Sequence, residues 1–355
     1  MSLEAQLATA IWATGAAGDS FPFDAWALQV FAHQLAHNPP YRAFCERRGV
    51  TLDTVQRWDQ VPPVPTAAFR HADLSCGPPE AVFQTSGTTA GAERRGRHGV
   101  PCLDLYRASA LVTFERFLLP DAARLPAIIL LPPPSERPDS SLVRMCAWVG
   151  EELSSESEWL GSPTGIDMPR LLARLREHET SGDAVLIAGP TAGFSQLFES
   201  GATFRLGPGS RLMDTGGPKG TARPLSRAGF VRACWTHLGI AGYFCVNEYG
   251  MTELCSQRYE SVLRDRFAGR SLEARRLVAP PWLRTRVLDP DTLEPVDAGA
   301  VGLLCHHDLA NAGSVSAVLT EDLGRAVGVD GIEVIGRVRG APPRGCGMLL
   351  ADLAP

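Results

Sequence analysis

From Leu125 to Val246 short apolar runs alternate with helical repeats, and this alternation limits the fold more than any other feature of the chain. Leu125–Leu131 is apolar, closed by Pro132, Pro133 and Pro134, and reads as a buried strand. Ser140 and Ser141 open a helix carrying Leu142, Met145, Cys146 and Val149. Residues 150–166 read as a polar connector, and a helix from Pro169 sets Leu171, Leu172 and Leu175 on one side. Ala184–Ala188 is the next strand, Gly189-Pro190 the turn out of it, and 191–199 the following helix. Arg211–Met213 is a third strand and Phe230–Leu238 a further helix. Strands separated by helices predict an α/β lobe with a largely parallel sheet, whose ligands sit at the carboxyl ends of the strands.

The flanks read differently. Leu28, Phe31 and Leu35 predict a helix over 23–37, stopped by Pro39-Pro40, and Thr51 opens a second short helix. Val61-Pro-Pro-Val-Pro65 is too proline-rich for either regular structure and reads as an extended connector. From Arg284 onward, Val287–Pro290, Leu293–Val296 and Gly302–Cys305 are strand-like runs divided by turn residues, which predicts antiparallel hairpins. The expected divisions are a helical lead-in at 1–60, an α/β core at 61–283, an antiparallel β region at 284–335 and a short C-terminal remnant at 336–355.

Composition narrows the class. The 355 residues are 45% hydrophobic and 21% charged, as in a globular protein, and a net charge of −5 argues against nucleic acid as a partner. No apolar run approaches the roughly 20 residues of a membrane span. No basic-then-apolar leader opens the chain, so neither membrane insertion nor export is expected and the assignment is cytoplasmic. Nine cysteines without a C-x-x-C pair read as reduced thiols rather than a disulfide framework or zinc site. Lysine and arginine total 34, yet Lys219 is the single lysine. A lone lysine among arginines is a candidate for a task that needs a compact ammonium.

Gln84-Thr-Ser-Gly-Thr-Thr-Ala-Gly91 follows the apolar approach Ala81-Val82-Phe83. Gly87 and Gly91 permit close backbone approach, and Thr85, Ser86, Thr88 and Thr89 add hydroxyl donors. Many donors in a small volume suit phosphate oxygens, although the spacing is not that of a Walker loop. An exposed Gly/Ser/Thr turn is the competing reading. Arg94, Arg95, Arg97 and His98 come next, either a cationic cluster for pyrophosphate or a carboxylate, or a solvated charge run.

Read with Tyr249-Gly250-Met251-Thr252-Glu253, this loop resembles the phosphate loop and Tyr-Gly-x-Thr-Glu motif of the adenylate-forming superfamily. Asp214-Thr-Gly-Gly-Pro-Lys219-Gly220, Asp308-Leu-Ala-Asn311, Thr320-Glu-Asp322-Leu-Gly324, Val334-Ile-Gly336-Arg337 and Arg344-Gly345-Cys346 resemble one branch of it, the acyl-protein synthetases typified by the fatty-acid-activating subunit of bacterial bioluminescence. The resemblance implies an adenylate-forming-enzyme-like N-terminal lobe with mixed and parallel sheets, a nucleotide-binding core and a truncated C-terminal mobile domain. It implies ATP and Mg²⁺ as cofactors, a carboxylic acid substrate, and a thiol acceptor on Cys346, a carrier protein, CoA or a reductase partner. By the same resemblance Tyr249 and Gly250 lie by the adenine, Thr252 meets the α-phosphate and Glu253 holds Mg²⁺. Asp322 takes the ribose hydroxyls, Arg337 marks the hinge, and Lys219 contacts a phosphate or adenylate oxygen. Ala90 departs from the usual glycine, and the lysine usual just after the loop is absent. A stand-alone enzyme for an aromatic or other small acid, and a catalytically disabled nucleotide-binding relative, are the alternatives.

Overall fold

The computed structural model describes residues 1–17, 21–85, 95–216, 225–271, 274–338 and 344–353. It divides into two compact units. The first comprises Met1–Val112, Met251–Gln257 and Val278–Pro355; the second comprises Thr113–Gly250 and Arg258–Leu277.

The first unit opens with α1 (Leu3–Ala17), α2 (Phe23–His37) and α3 (Pro39–Arg47). Pro39 and Pro40 do more than end α2, because they begin α3 behind the N-cap Asn38, whose side chain accepts from the Tyr41 N–H at 3.0 Å. Proline suits this first turn, where its missing N–H has no helical partner to lose. The helix expected at Thr51 does not form; only one tight turn, Trp58–Gln60, is helical. The Thr54 hydroxyl bonds the Thr51 N–H and C=O, and the Gln60 side chain accepts from the Gln56 and Arg57 N–H groups. Those local bonds occupy backbone groups that a helix needs.

The short strand β1 (Val64–Pro65) is followed by the antiparallel pair β2 (Ala81–Gln84) and β3 (Arg97–Val100), with Phe83 opposite His98. Then come α4 (Leu103–Leu118), β4 (Ala127–Ile129), α5 (Ser141–Trp148) and β5 (Ser157–Trp159). Residues 150–166 are more than a connector: a wide helical turn, Val149–Leu153, precedes β5 and the small hairpin β6 (Gly161–Ser162) and β7 (Gly165–Ile166). The chain continues through α6 (Met168–Ser181), β8 (Leu186–Pro190), α7 (Thr191–Glu199), β9 (Arg211–Thr215), α8 (Arg227–Leu238), β10 (Cys245–Tyr249), β11 (Arg258–Glu260) and α9 (Val262–Phe267). Within the second unit the strands lie in the order β11-β10-β9-β8-β4-β5, parallel except for β10 with β11. Ile128, Leu171, Leu175, Ile187, Phe194, Leu212 and Phe230 fill its core. The result is an α/β fold with a mixed, largely parallel sheet.

Beyond β12 (Leu277–Val278), β13 (Leu283–Leu288), β14 (Gly302–Asp308), β15 (Ala317–Val327) and β16 (Gly331–Arg337) pair antiparallel in that order in the first unit, with β1 parallel on β15. Leu293–Val296 adds no strand, contributing only an isolated bridge from Pro295 to Leu288. The last helix, α10 (Arg344–Leu353), buries Leu349 against a core that includes Phe31, Tyr41, Phe44 and Val318. The Asp352 carboxylate pairs with Arg48 at 2.8 Å, and its carbonyl accepts from Arg47 at 2.7 Å.

One buried charge in the second unit tests this packing. Arg211 is 2% exposed and forks onto both oxygens of Asp121 at 2.8 Å, while donating to the Leu118 carbonyl. Asp121→Ala strands that guanidinium, and should lower unfolding free energy by about 3 kcal/mol in urea titration. An unchanged midpoint would mean the pair is not holding the start of β9.

Candidate functional site

In the first unit the chemistry gathers around the turn Met251–Ser256. The turn's backbone is held by side chains from two distant segments. His98 Nδ1, on β3, lies 2.6 Å from the Thr252 carbonyl. Asn311 Nδ2 donates to the Glu253 carbonyl at 2.9 Å and to the Val315 carbonyl at 2.8 Å. Asp308, at the end of β14, accepts from the Cys255 N–H at 2.8 Å, the Ser256 hydroxyl at 2.6 Å and the Ala310 N–H at 3.0 Å. Asp308 is fully buried, and burial pushes its carboxyl up to about 6 against the pull of those donors. Sequence reasoning cited Asp308 and Asn311 only as part of a motif. Their signal is weak because Asp and Asn after a strand read as turn formers.

Glu253 is 8% exposed. Burial pushes its carboxyl up to about 7, with Arg337 and Arg70 pulling down and Asp322 pushing up. Asp322 accepts from Arg337 Nε at 2.9 Å. Glu253, Asp322 and Arg337, far apart in sequence, thus share one electrostatic neighbourhood. Among the described residues no three His, Cys, Asp or Glu side chains gather around a metal position. A single buried carboxylate with an incompletely compensated charge fits a hard cation that takes its other ligands from phosphates and water.

His98 is 1% exposed, and its Nε2 lies 2.9 Å from Asn311 Oδ1. Burial pushes the imidazole down to about 4, so the ring is neutral near pH 7 rather than a surface cation. Both ring nitrogens face protein oxygens. Thr85 closes the base of the hydroxyl-rich loop: its N–H donates to the Gly96 carbonyl at 3.0 Å, and its hydroxyl accepts from the Gly96 N–H at 2.9 Å. Ser86, Gly87, Thr88, Thr89, Gly91 and Lys219 lie outside the described residues. Cys346 falls in the first turn of α10, its side chain likewise outside them.

The second unit carries Tyr249 and Gly250 at the carboxyl end of β10, beside a charged network that sequence reasoning missed. Asp214 and Asn247 are paired across β9 and β10, and Asn247 Nδ2 donates to Asp214 Oδ2 at 2.9 Å. Arg227, at the start of α8, joins Asp214 at 2.7 Å to Glu260, and Arg275 reaches Glu260 at 2.7 Å. Arg227 and Asp214 therefore tie together the two ends of the segment that carries Lys219. Glu248, 3% exposed, accepts from the Thr215 hydroxyl in the adjacent strand. Burial pushes its carboxyl up to about 7; the Thr215 bond opposes this and Asp214 adds to it.

An α/β unit with this strand order, followed by an antiparallel set, is the fold of adenylate-forming enzymes. A crystal structure of 2-hydroxyisobutyryl-CoA ligase in complex with 2-HIB-AMP aligns with a TM-score of 0.66 at 18% identity, covering 88% of this chain and 66% of that one. ATP-bound MatB from Rhodopseudomonas palustris aligns at 0.50 and 16%, covering 76% of this chain. The chain spans just under two thirds of the first of these proteins and about half, 49%, of the second. At such identities the likeness is one of fold.

Residues 165–353 match the acyl-protein synthetase (LuxE) family, and the chain belongs to it. It is a ligase of the adenylate-forming class. The long-chain-fatty-acid–luciferin-component ligase of Aliivibrio fischeri is 22% identical over 93% of this chain and 88% of its own length. That of Vibrio harveyi is 23% identical over 91% and 85%.

Glu248 gives the fold a pH signature. Its folded pKa is raised above the ordinary 4.5, so the fold keeps a proton that the unfolded chain releases. Stability should fall as pH rises from about 4.5 through about 7, and level off above. Glu248→Gln keeps an oxygen for Thr215 and removes the ionisation. Its advantage over wild type should grow by about 2 kcal/mol between pH 5 and pH 8 in denaturant titrations. A constant difference would place the titration elsewhere.

Proposed function

We propose that this chain activates a carboxylic acid with ATP. The acid's carboxylate oxygen attacks the α-phosphorus, the bond to the β-phosphate oxygen breaks, and pyrophosphate leaves an acyl-adenylate. A thiolate then attacks the acyl carbon and AMP departs. The observation that carries this reading is the neighbourhood of Glu253, Asp322 and Arg337 inside a segment matched by the family. Glu253 is the residue to hold Mg²⁺, which would supply charge neutralisation at the phosphates. Asp322 offers a carboxylate to the ribose hydroxyls once it shares or yields Arg337. Thr252 serves the α-phosphate, and Tyr249 and Gly250 lie by the adenine. The loop from Thr85 to Gly91 and the ammonium of Lys219 bind phosphate or adenylate oxygens. Chemistry of this kind is mostly positioning and charge stabilisation.

The thiol inventory supports Cys346 as acceptor. Cys45, Cys146, Cys234, Cys245, Cys255 and Cys305 are buried, and Cys76 and Cys102 are half-buried. Burial pushes the Cys76 thiol up to about 12 and raises that of Cys102, which starves both of thiolate. Cys346 stands in the first turn of a helix, a position that favours the thiolate. From Cys346 the acyl group passes to a carrier protein, CoA or a reductase. Long-chain fatty acids are the substrates named for the two bacterial relatives, and are the first acids to test.

Acid-dependent exchange of labelled pyrophosphate into ATP, run over a panel of fatty and aromatic acids, checks the first half-reaction. Lys219→Ala should lower it about 100-fold, the scale of losing one charge-stabilising donor. Exchange indifferent to that change would remove Lys219 from the site. Separately, labelled acid with ATP should leave label on the wild-type chain in a gel. Cys346→Ala should abolish that label and spare pyrophosphate exchange to within about threefold. Label surviving on the variant would send the acyl group to another acceptor.

A further inference from the structure

We infer that His98 is a positioning residue: its one ring N–H, on Nδ1, donates to the Thr252 carbonyl and fixes the Thr252–Glu253 turn, its Nε2 edge rests against Asn311, and it does not touch nucleotide. Four observations converge on this. Each ring nitrogen already faces a protein oxygen, at 2.6 Å and 2.9 Å. The Asn311 amide has no freedom to turn away, because its Nδ2 is committed to the carbonyls of Glu253 and Val315. The Phe69 ring meets the imidazole edge-on, with centroids 5.5 Å apart, which sets the ring plane. His98 also stands on the strand that leaves the hydroxyl-rich loop, two residues after the Gly96 that bonds Thr85.

The carbonyls on both sides of Glu253 are therefore fixed from outside the turn, that of Thr252 by His98 and its own by Asn311. Glu253 has little rotational freedom left in its backbone. Through His98 the strand that starts at the base of the loop contacts the turn. This rests on the activity proposed above for its kinetic consequence only; the structural consequence stands without it.

The test compares four forms of the full chain: wild type, His98→Ala, His98→Gln and Gln34→Leu. Gln34 is the internal control. It is fully buried and bonds the carbonyls of Asn311 and Ala312 and the backbone and hydroxyl of Ser316, without reaching Thr252 or Glu253. Hydrogen–deuterium exchange should show the amides of 252–256 opening about tenfold faster in His98→Ala, close to wild type in His98→Gln, and unchanged in Gln34→Leu. In pyrophosphate exchange, His98→Ala should lose about 10- to 100-fold in kcat, with KM for the acid held within about twofold. His98→Gln should recover most of it, and Gln34→Leu should lower Tm with kcat intact. Equal losses in His98→Ala and His98→Gln, or the same kcat loss in Gln34→Leu at matched Tm, would overturn the assignment. Should His98→Ala fail to fold, Asn311→Asp removes the donor to the Glu253 carbonyl at constant shape and must give the same amide pattern. A wild type without pyrophosphate exchange on any acid counts against the proposed activity instead, and the amide pattern alone then decides the role of His98.

Discussion

The side-chain amide of Asn311 is the bond on which the first unit's chemistry hangs. An amide offers two donors and one oxygen, and here each is committed: the donors to two main-chain carbonyls, the oxygen to the Cys255 thiol at 3.5 Å with an imidazole edge against it. The protein around it is dry, which makes each of these bonds costly to leave unmade. Asp308, three residues earlier, does the complementary work by accepting from N–H and hydroxyl groups of the same turn. The short stretch from the end of β14 to Asn311 thus supplies a donor to the turn's Glu253 carbonyl and an acceptor to its Cys255 N–H and Ser256 hydroxyl. A turn rich in Thr, Glu and Ser would otherwise have its main chain free to wander.

The second unit solves a similar problem with ions instead of amides. Asp214, Arg227, Glu260 and Arg275 alternate in sign from the end of β9 to the start of β10. Each charge loses its hydration on burial and is compensated only while the others remain, so the network fails as a group rather than residue by residue. That interdependence specifies where α8 starts, and so where the segment after Thr215 returns to the fold.

Local rules recovered much of this architecture. α6 was readable because Pro169 sits in its first turn and Leu171 and Leu175 fall on one side; its cap, Asp167, emerged only in the structure. The parallel order of β4, β8, β9 and β10 followed from strands separated by helices. The misreadings have equally physical causes. Pro39 and Pro40 signal a stop and a start with the same residues, and only the cap on Asn38 separates the two meanings. The Thr51 segment has helical spacing, but its side chains satisfy its own backbone. Motif order alone singled out Glu253, Asp322 and Arg337, the groups of the proposed site, which the structure sets in one electrostatic neighbourhood. The contacts of Asn311 and His98 could not be, since a contact between residues 213 positions apart leaves no periodicity to find. A buried histidine and a surface one are spelled alike.

The ion pairs described here, Arg211 with Asp121, Arg227 with Asp214 and Arg337 with Asp322, are built from guanidinium groups. A guanidinium stays protonated and is a poor nucleophile, whereas a lysine amine is readily acylated. Acyl-adenylates and thioesters attack whatever amine they meet when they escape. A chain that makes its charge contacts with arginine can hold such intermediates while offering them, apart from Lys219, no side-chain amine to modify.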